Sequence, residues 1–156
     1  MGREDWGLSE TDWQTLLFAP LWVVTLVGGA DGTISPAEFD ALGQRLREAR
    51  PVSGRLAHDL VETLATEYVH RWHQYERDPR PARVGLAAVA AILDRRSSDR
   101  EGFLVRAALV DLGVDVAQAS RSRLVGPRTS AAEERAIAEV RAALAGEAGA
   151  EPGSGA

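Results

Sequence analysis

Apolar positions recur along this chain at helical spacing, and no segment alternates as a half-buried strand would. The most apolar stretch runs from Leu16 to Ala30, LLFAPLWVVTLVGGA, in which Thr25 is the only clearly polar side chain. A helix that is apolar on every side has to be enclosed by a domain or a membrane. A membrane span needs about 20 such residues. This run is shorter, carries Pro20 and ends in Gly28-Gly29, so it predicts a buried central helix. Upstream, Ser9 is a cap followed by Glu10 and Asp12, and Trp13, Leu16, Leu17, Leu21, Val24 and Val27 keep the spacing. Pro20 predicts a kink or the start of a second helix.

After the glycines comes Asp31-Gly32, a turn pair, and then Ser35-Pro36-Ala37-Glu38. Ser35 suits an N-cap, Pro36 the first helical position and Glu38 the third position of a capping box. The helix that follows carries Phe39, Leu42 and Leu46 and stops before Pro51. A third helix is expected from Ser53 to about Tyr75, with Leu56, Leu60, Leu64, Tyr68 and Trp72 as its buried stripe. The two prolines of RDPRPAR, residues 77 to 83, predict a connecting loop, and VGLAAVAAIL after it a helix of small residues suited to close packing. A second capping box, Ser98 to Glu101, opens a helix through Phe103, Leu104, Ala107, Ala108 and Leu112, with an interruption expected at Gly113. RSRLVGPR reads as a loop, and Ser130 to Glu133 as the cap of a last helix ending near Leu144.

The fold class is therefore all-α: one compact bundle of six to seven helices over residues 9–145, with 146–156 as a tail of disordered composition. A chain of 156 residues is long enough for one good core. Its net charge of -5 argues against a general nucleic-acid binder. All its basic residues are Arg, which fits the coding bias of a GC-rich genome. The absence of Cys removes disulfides, thiolate zinc sites and Cys nucleophiles. The start, MGREDWGLSETDW, is acidic where a secretion signal is basic, so the expectation is a cytoplasmic protein without a direct membrane span.

Candidate chemistry centres on the acidic turn. Asp31, Gly32, Ile34 and Glu38 match the second half of an EF-hand loop, where a carboxylate, a glycine and a bidentate Glu hold calcium. The first half fails, because its carboxylate positions fall on Val27 and Gly29. The alternative is structural: Asp31-Gly32 makes the turn and Glu38 caps the helix. GGADG lacks the Lys-Ser/Thr of a phosphate loop and the spacing of a dinucleotide fingerprint. Glu67, His70 and His73 have a spacing that di-metal bundles use, yet His70 falls opposite the apolar stripe and should be solvated. Asp111 and Asp115 are further carboxylates for pairing with Asp31, although acidic residues at turns and helix ends are usually solvated caps. The Arg clusters at 77–83, 95–100 and 121–123 lie in expected loops. No nucleophile elbow is present, and the expectation is a non-catalytic protein.

The chain also shows a degenerate internal repeat. VGGADG-TISPAEFDAL is echoed by VAQAS-RSRLVGPR-TSAAEERAI, pairing Ala30 with Ala119, Ser35 with Ser130 and Glu38 with Glu133, while Asp31 faces Ser120. Ala30 to Glu38, ADGTISPAE, resembles the turn of the tellurite-resistance TerB-like proteins, helical domains with two copies of a helix, an ADG-x-I-x-x-x-E turn and a second helix. The resemblance implies a binding module linked to tellurite and other stress responses. It further implies a divalent cation, calcium or similar, at Asp31 and Glu38, and a protein partner in a membrane-linked complex. Loss of the second Asp-Gly argues against two-site metal chemistry. The alternative function is a helical protein-interaction adaptor whose acidic turn is purely structural, with Trp6 or the third helix as the expected contact patch.

The segment after Gly146 holds no apolar side chain larger than Ala, so ordering it would cost more entropy than its contacts return. Truncation after Gly146 should change stability by less than about 0.5 kcal/mol, read from urea unfolding; a loss above about 1 kcal/mol would show that the segment docks.

Overall fold

The computed structural model describes residues 3–28, 36–48, 53–123 and 128–146; the side chains at 38, 47, 119–123 and 128–130 fall outside that description. A short 3-10 turn, Arg3–Trp6, precedes seven α-helices. These are α1 (Glu10–Gly28), α2 (Pro36–Arg47), α3 (Arg55–Thr66), α4 (Tyr68–Glu76), α5 (Ala82–Arg96), α6 (Asp99–Arg123) and α7 (Arg128–Leu144). No strand occurs among the described residues, and the helices pack into one all-α bundle.

The bundle is built around α1, which packs against α3, α4, α5, α6 and α7. Leu17, Phe18, Leu21, Trp22 and Val23 are almost fully enclosed. They point in every direction around the helix, as its uniformly apolar sequence requires. Each such side chain contributes on the order of 2 kcal/mol when taken from water. That total exceeds the roughly 3 kcal/mol that a proline costs a helix interior, and α1 accordingly runs through Pro20 without ending. Its start is as expected: the Ser9 hydroxyl accepts the Asp12 backbone N–H at 3.1 Å.

The long third helix is in fact two. It breaks at Glu67, whose φ of -105° and ψ of 21° leave the helical region. Just before the break, the Thr66 hydroxyl donates to the Glu62 carbonyl at 2.9 Å, a back-bond that bends helices. Just after it, Arg71 holds Glu67 at 2.7 Å. The expected stripe survives, since Leu56, Leu60, Leu64 and Tyr68 are buried and Trp72 packs against the core.

Helix α6 differs more from its expected form. It passes Gly113 without interruption, and among its described residues Gly102, Val105, Leu109, Gly113 and Ala117 are buried. Phe103, the first of its expected apolar positions, is 67% exposed. A Cβ on Gly113 would lie 3.4 Å from Val23 and 3.5 Å from Val27, so the glycine packs on α1 at ordinary contact distance. Ser98 accepts the Glu101 N–H at 3.2 Å, half of the expected capping box. The other half is redirected: the Glu101 carboxylate accepts the Leu56 N–H at 3.1 Å and caps α3 instead. Helix α3 needs it because Gly54, at its N-cap with φ of 98°, has no side chain to offer.

At the far end, α7 opens at Arg128, so Ser130 lies inside the helix rather than at its cap. Glu38 is thus the third residue of α2, whereas its repeat partner Glu133 is the sixth of α7 and is buried. The repeat aligns sequence without aligning helix starts.

Two glycines give opposite expectations. Alanine at Gly85 would put its Cβ 2.3 Å from the Trp22 ring, an overlap that costs about 1–3 kcal/mol and outweighs the helix-propensity gain of about 1 kcal/mol. Gly113→Ala meets only ordinary contacts and keeps that gain. Urea unfolding should therefore show Gly85→Ala less stable than wild type and Gly113→Ala equal or more stable by up to about 1 kcal/mol.

Candidate functional site

The acidic turn joins the end of α1 to the start of α2. Asp31 lies outside the described residues, and Glu38 is placed only as backbone, as the third residue of α2. What the structure does show is the frame. Helix α1 ends at Gly28 and α2 opens at Pro36, the proline assigned to the first helical position.

Helix α2 is held on two sides. Phe39 stacks on Tyr68 of α4 with ring centres 4.6 Å apart and an angle of 13° between planes. The Tyr68 hydroxyl donates to the Phe39 carbonyl at 2.7 Å. On the other side, Arg45 pairs with Asp115 of α6 at 3.6 Å. Asp115 is therefore engaged with a cation of α2, and Asp111, one turn before it, is exposed.

The aromatic stack continues inward beneath α2. Phe39 touches Trp72, Trp72 touches Tyr75, and Tyr75 meets Phe18 and Trp22 of α1 edge-on. Thr25, the one clearly polar residue of the apolar run from Leu16, donates to the Leu21 carbonyl at 2.8 Å. With that hydrogen committed, the Tyr75 hydroxyl donates to Thr25 at 2.6 Å. Burial pushes the Tyr75 phenol above its ordinary range, so it stays a neutral donor. The buried Thr25 hydroxyl is thus satisfied at both its donor and its acceptor.

The loop from Arg77 to Arg83, expected to be solvated, sends Arg80 inward. Its guanidinium lies 5.0 Å from the Trp22 ring centre, donates to Asp78 at 2.7 Å and reaches the Thr15 hydroxyl at 3.2 Å. A cation over an indole is attracted by the ring's negative face. The hydrogen bonds from Arg80 hold the Asp78 carboxyl below the usual range against the opposing effect of burial. A second interior arginine, Arg71, donates to Glu67 at 2.7 Å, to Gln74 at 3.1 Å and to Glu10 of α1 at 3.4 Å.

These contacts settle the histidine motif. Glu67 belongs to Arg71, while His70 and His73 are exposed, and His73 faces Glu76 at 3.4 Å. The three histidines fall on two helices, His58 on α3 and the others on α4. Among the described residues no group of three His, Asp or Glu side chains is placed to hold a metal ion. Nor is Trp6 the exposed patch expected of it. It is half-buried against the core and donates its indole N–H to the buried Asp59 carboxylate at 2.8 Å.

Sequence reasoning missed the surface between α6 and α7. Phe103, Arg106, Ala107, Val110, Arg141 and Leu144 line an open groove of about 360 Å³. One wall is fixed by Arg106, which donates to the Leu144 carbonyl at 2.8 Å, to the Ala90 carbonyl at 3.2 Å and to Asp94 at 2.7 Å. The available signal was an exposed-type spacing of Phe103, Ala107 and Val110, out of step with the small residues that face α1.

The Asp78 pairing has a definite pH signature. A carboxyl whose folded pKa is depressed stabilises the fold above its unfolded value, about 3.9 for Asp, and loses that contribution as pH falls through the folded value. Asp78→Asn should be less stable than wild type at pH 7, and the gap should narrow below about pH 4. Urea midpoints at pH 7 and pH 3 that differ equally between the two proteins would refute the pairing.

No family model matches the chain, and no curated protein and no solved structure matches it either.

Proposed function

We propose that the chain is a non-catalytic binding module of the TerB-like kind that takes a divalent cation weakly at the turn between α1 and α2. The observation that supports it is the frame of the turn. The ADGTISPAE motif leaves the most enclosed helix of the bundle and enters a helix anchored by Phe39 on α4 and by Arg45 on α6. Anchored helices on either side of the segment leave less of the chain to be ordered by ligation. Asp31 and Glu38 are the ligands in this reading, with loop carbonyls completing an oxygen set that suits calcium or a similar hard cation. Two carboxylates give an affinity of roughly millimolar or weaker. A role in tellurite or metal stress, a protein partner in a membrane-linked complex and a cytoplasmic setting belong to the same proposal. No helix among the described residues is long and apolar enough to cross a membrane.

A second reading has its own observation. Phe103 is 67% exposed beside the groove between α6 and α7, which favours a helical adaptor whose acidic turn only connects helices.

Calorimetric titration with calcium, magnesium, manganese and zinc separates the two. The cation reading expects saturable binding that Asp31→Asn and Glu38→Gln each abolish while the helical circular dichroism persists. If Glu38 only caps α2, Gln preserves the hydrogen bond and costs a few tenths of a kcal/mol, whereas Ala costs about 1 kcal/mol. Absence of saturable binding by the wild type would remove the cation reading and leave the adaptor.

A further inference from the structure

The residues ahead of α1 form a compact strap. Arg3–Trp6 is a 3-10 turn, Gly7 takes a left-handed φ of 66°, and Leu8 is buried just before the Ser9 cap. The turn closes on itself: the Gly7 N–H donates to the Glu4 carbonyl and the Leu8 N–H to the Arg3 carbonyl, both at 3.2 Å. Two side chains fasten it to the bundle. Arg3 pairs with the exposed Glu10 at 3.1 Å, and the Trp6 indole packs on the core and donates to Asp59 of α3 at 2.8 Å.

The second fastening has a weakness built into it. Asp59 is 6% exposed, and the indole N–H is the one hydrogen bond it accepts among the described residues, which leaves its other oxygen without a partner there. No described cation pairs with it: Arg3 is committed to Glu4 and Glu10, His58 to Glu62, and Arg55, one turn earlier on α3, forms no ion pair with it. Arg71 and Asp78, charged side chains of comparable burial, each have an ionic partner. A buried carboxylate needs several donors or a counter-charge to offset its lost hydration, and Asp59 has a single neutral donor.

Closing the strap therefore sets two effects against each other. Burial of Leu8 and of the Trp6 ring favours the closed form, whereas removal of the Asp59 charge from water favours the open one. An element balanced in this way opens well below the free energy of global unfolding.

We infer that Arg3 to Ser9 is a releasable strap, which opens as a unit while α1 to α7 stay packed, turns Trp6 and Leu8 outward and returns Asp59 to water. The apolar surface around Trp6 is displayed only in the open form, and the Trp6–Asp59 bond is the clasp that hides it. The inference concerns the strap alone and holds whether the acidic turn binds a cation or only connects helices. The buried charge separates it from ordinary fraying of a chain end: deleting the clasp on both sides should tighten the strap, not loosen it, because replacing both partners of a buried polar contact by apolar groups also removes the desolvation cost.

Hydrogen exchange of the full chain, followed by NMR, tests this with the Trp6 indole N–H and the Leu8 amide as reporters. Protection of both should be at least about a hundredfold lower than that of the enclosed Val23 and Val24 amides of α1. Their exchange should hardly respond to urea below the unfolding transition, because local opening exposes little surface. Trp6→Phe alone strands the carboxylate and should speed Leu8 exchange by about tenfold or more. Adding Asp59→Leu should reverse the effect and leave Leu8 exchanging about tenfold more slowly than in the wild type. Reporters as protected as the α1 amides, with the same urea dependence, overturn the strap, since it then opens only with the whole bundle; that comparison needs no variant. A double variant that exchanges no more slowly than the wild type overturns the part assigned to the Asp59 charge, as does a Trp6→Phe protein whose Leu8 amide is unchanged.

Discussion

The constraint on which the structure depends is that α1 has no side it can show to water. A helix with Trp, Phe, Leu and Val around its whole circumference can be satisfied only by neighbours on every side, and five other helices supply them. The requirement sets the chemistry of those neighbours. Where α5 meets the Trp22 indole it must be glycine, and where α6 meets Val23 and Val27 it is glycine again. The first of these contacts leaves no room for a side chain, whereas the second would admit a methyl group.

The polar interior is organised by arginine. Arg71, Arg80 and Arg106 each bind several partners through a planar fork, joining α4 to α1, a loop to α1, and α6 to both α5 and α7. A single-point ammonium could not make these divided contacts. Whatever genomic bias supplied the arginines, the fold uses the guanidinium geometry at these three positions.

Much of the fold was legible from pattern alone. The enclosed α1, the Ser9 cap, the Leu56 to Trp72 stripe and the solvated His70 follow from periodicity and local hydrogen bonding. What escaped depends on contacts distant in sequence. Gly113 reads locally as a helix breaker, and only the approach of α1 makes it a packing residue. Arg80 reads as solvated until Trp22 and Asp78 lie beside it. Glu101 has the sequence of a reciprocal cap, yet its carboxylate is drawn to a helix start 45 residues away. For the candidate turn, the helix boundaries at Gly28 and Pro36 agree with its local signals, and Phe39 and Arg45 supply an anchorage that those signals do not encode.

The first two turns of α6 therefore have an influence beyond their own length. Glu101 closes one open donor of α3, the Leu56 N–H, and one turn further Arg106 closes a carbonyl at the end of α7. Loosening this segment would release the N-terminus of one helix and the C-terminus of another at once, although neither is its neighbour in sequence. Amide protection at the start of α3 and at the end of α7 should then fall together. The beginning of α6 acts as a shared latch through which two distant helix ends open as a single cooperative unit.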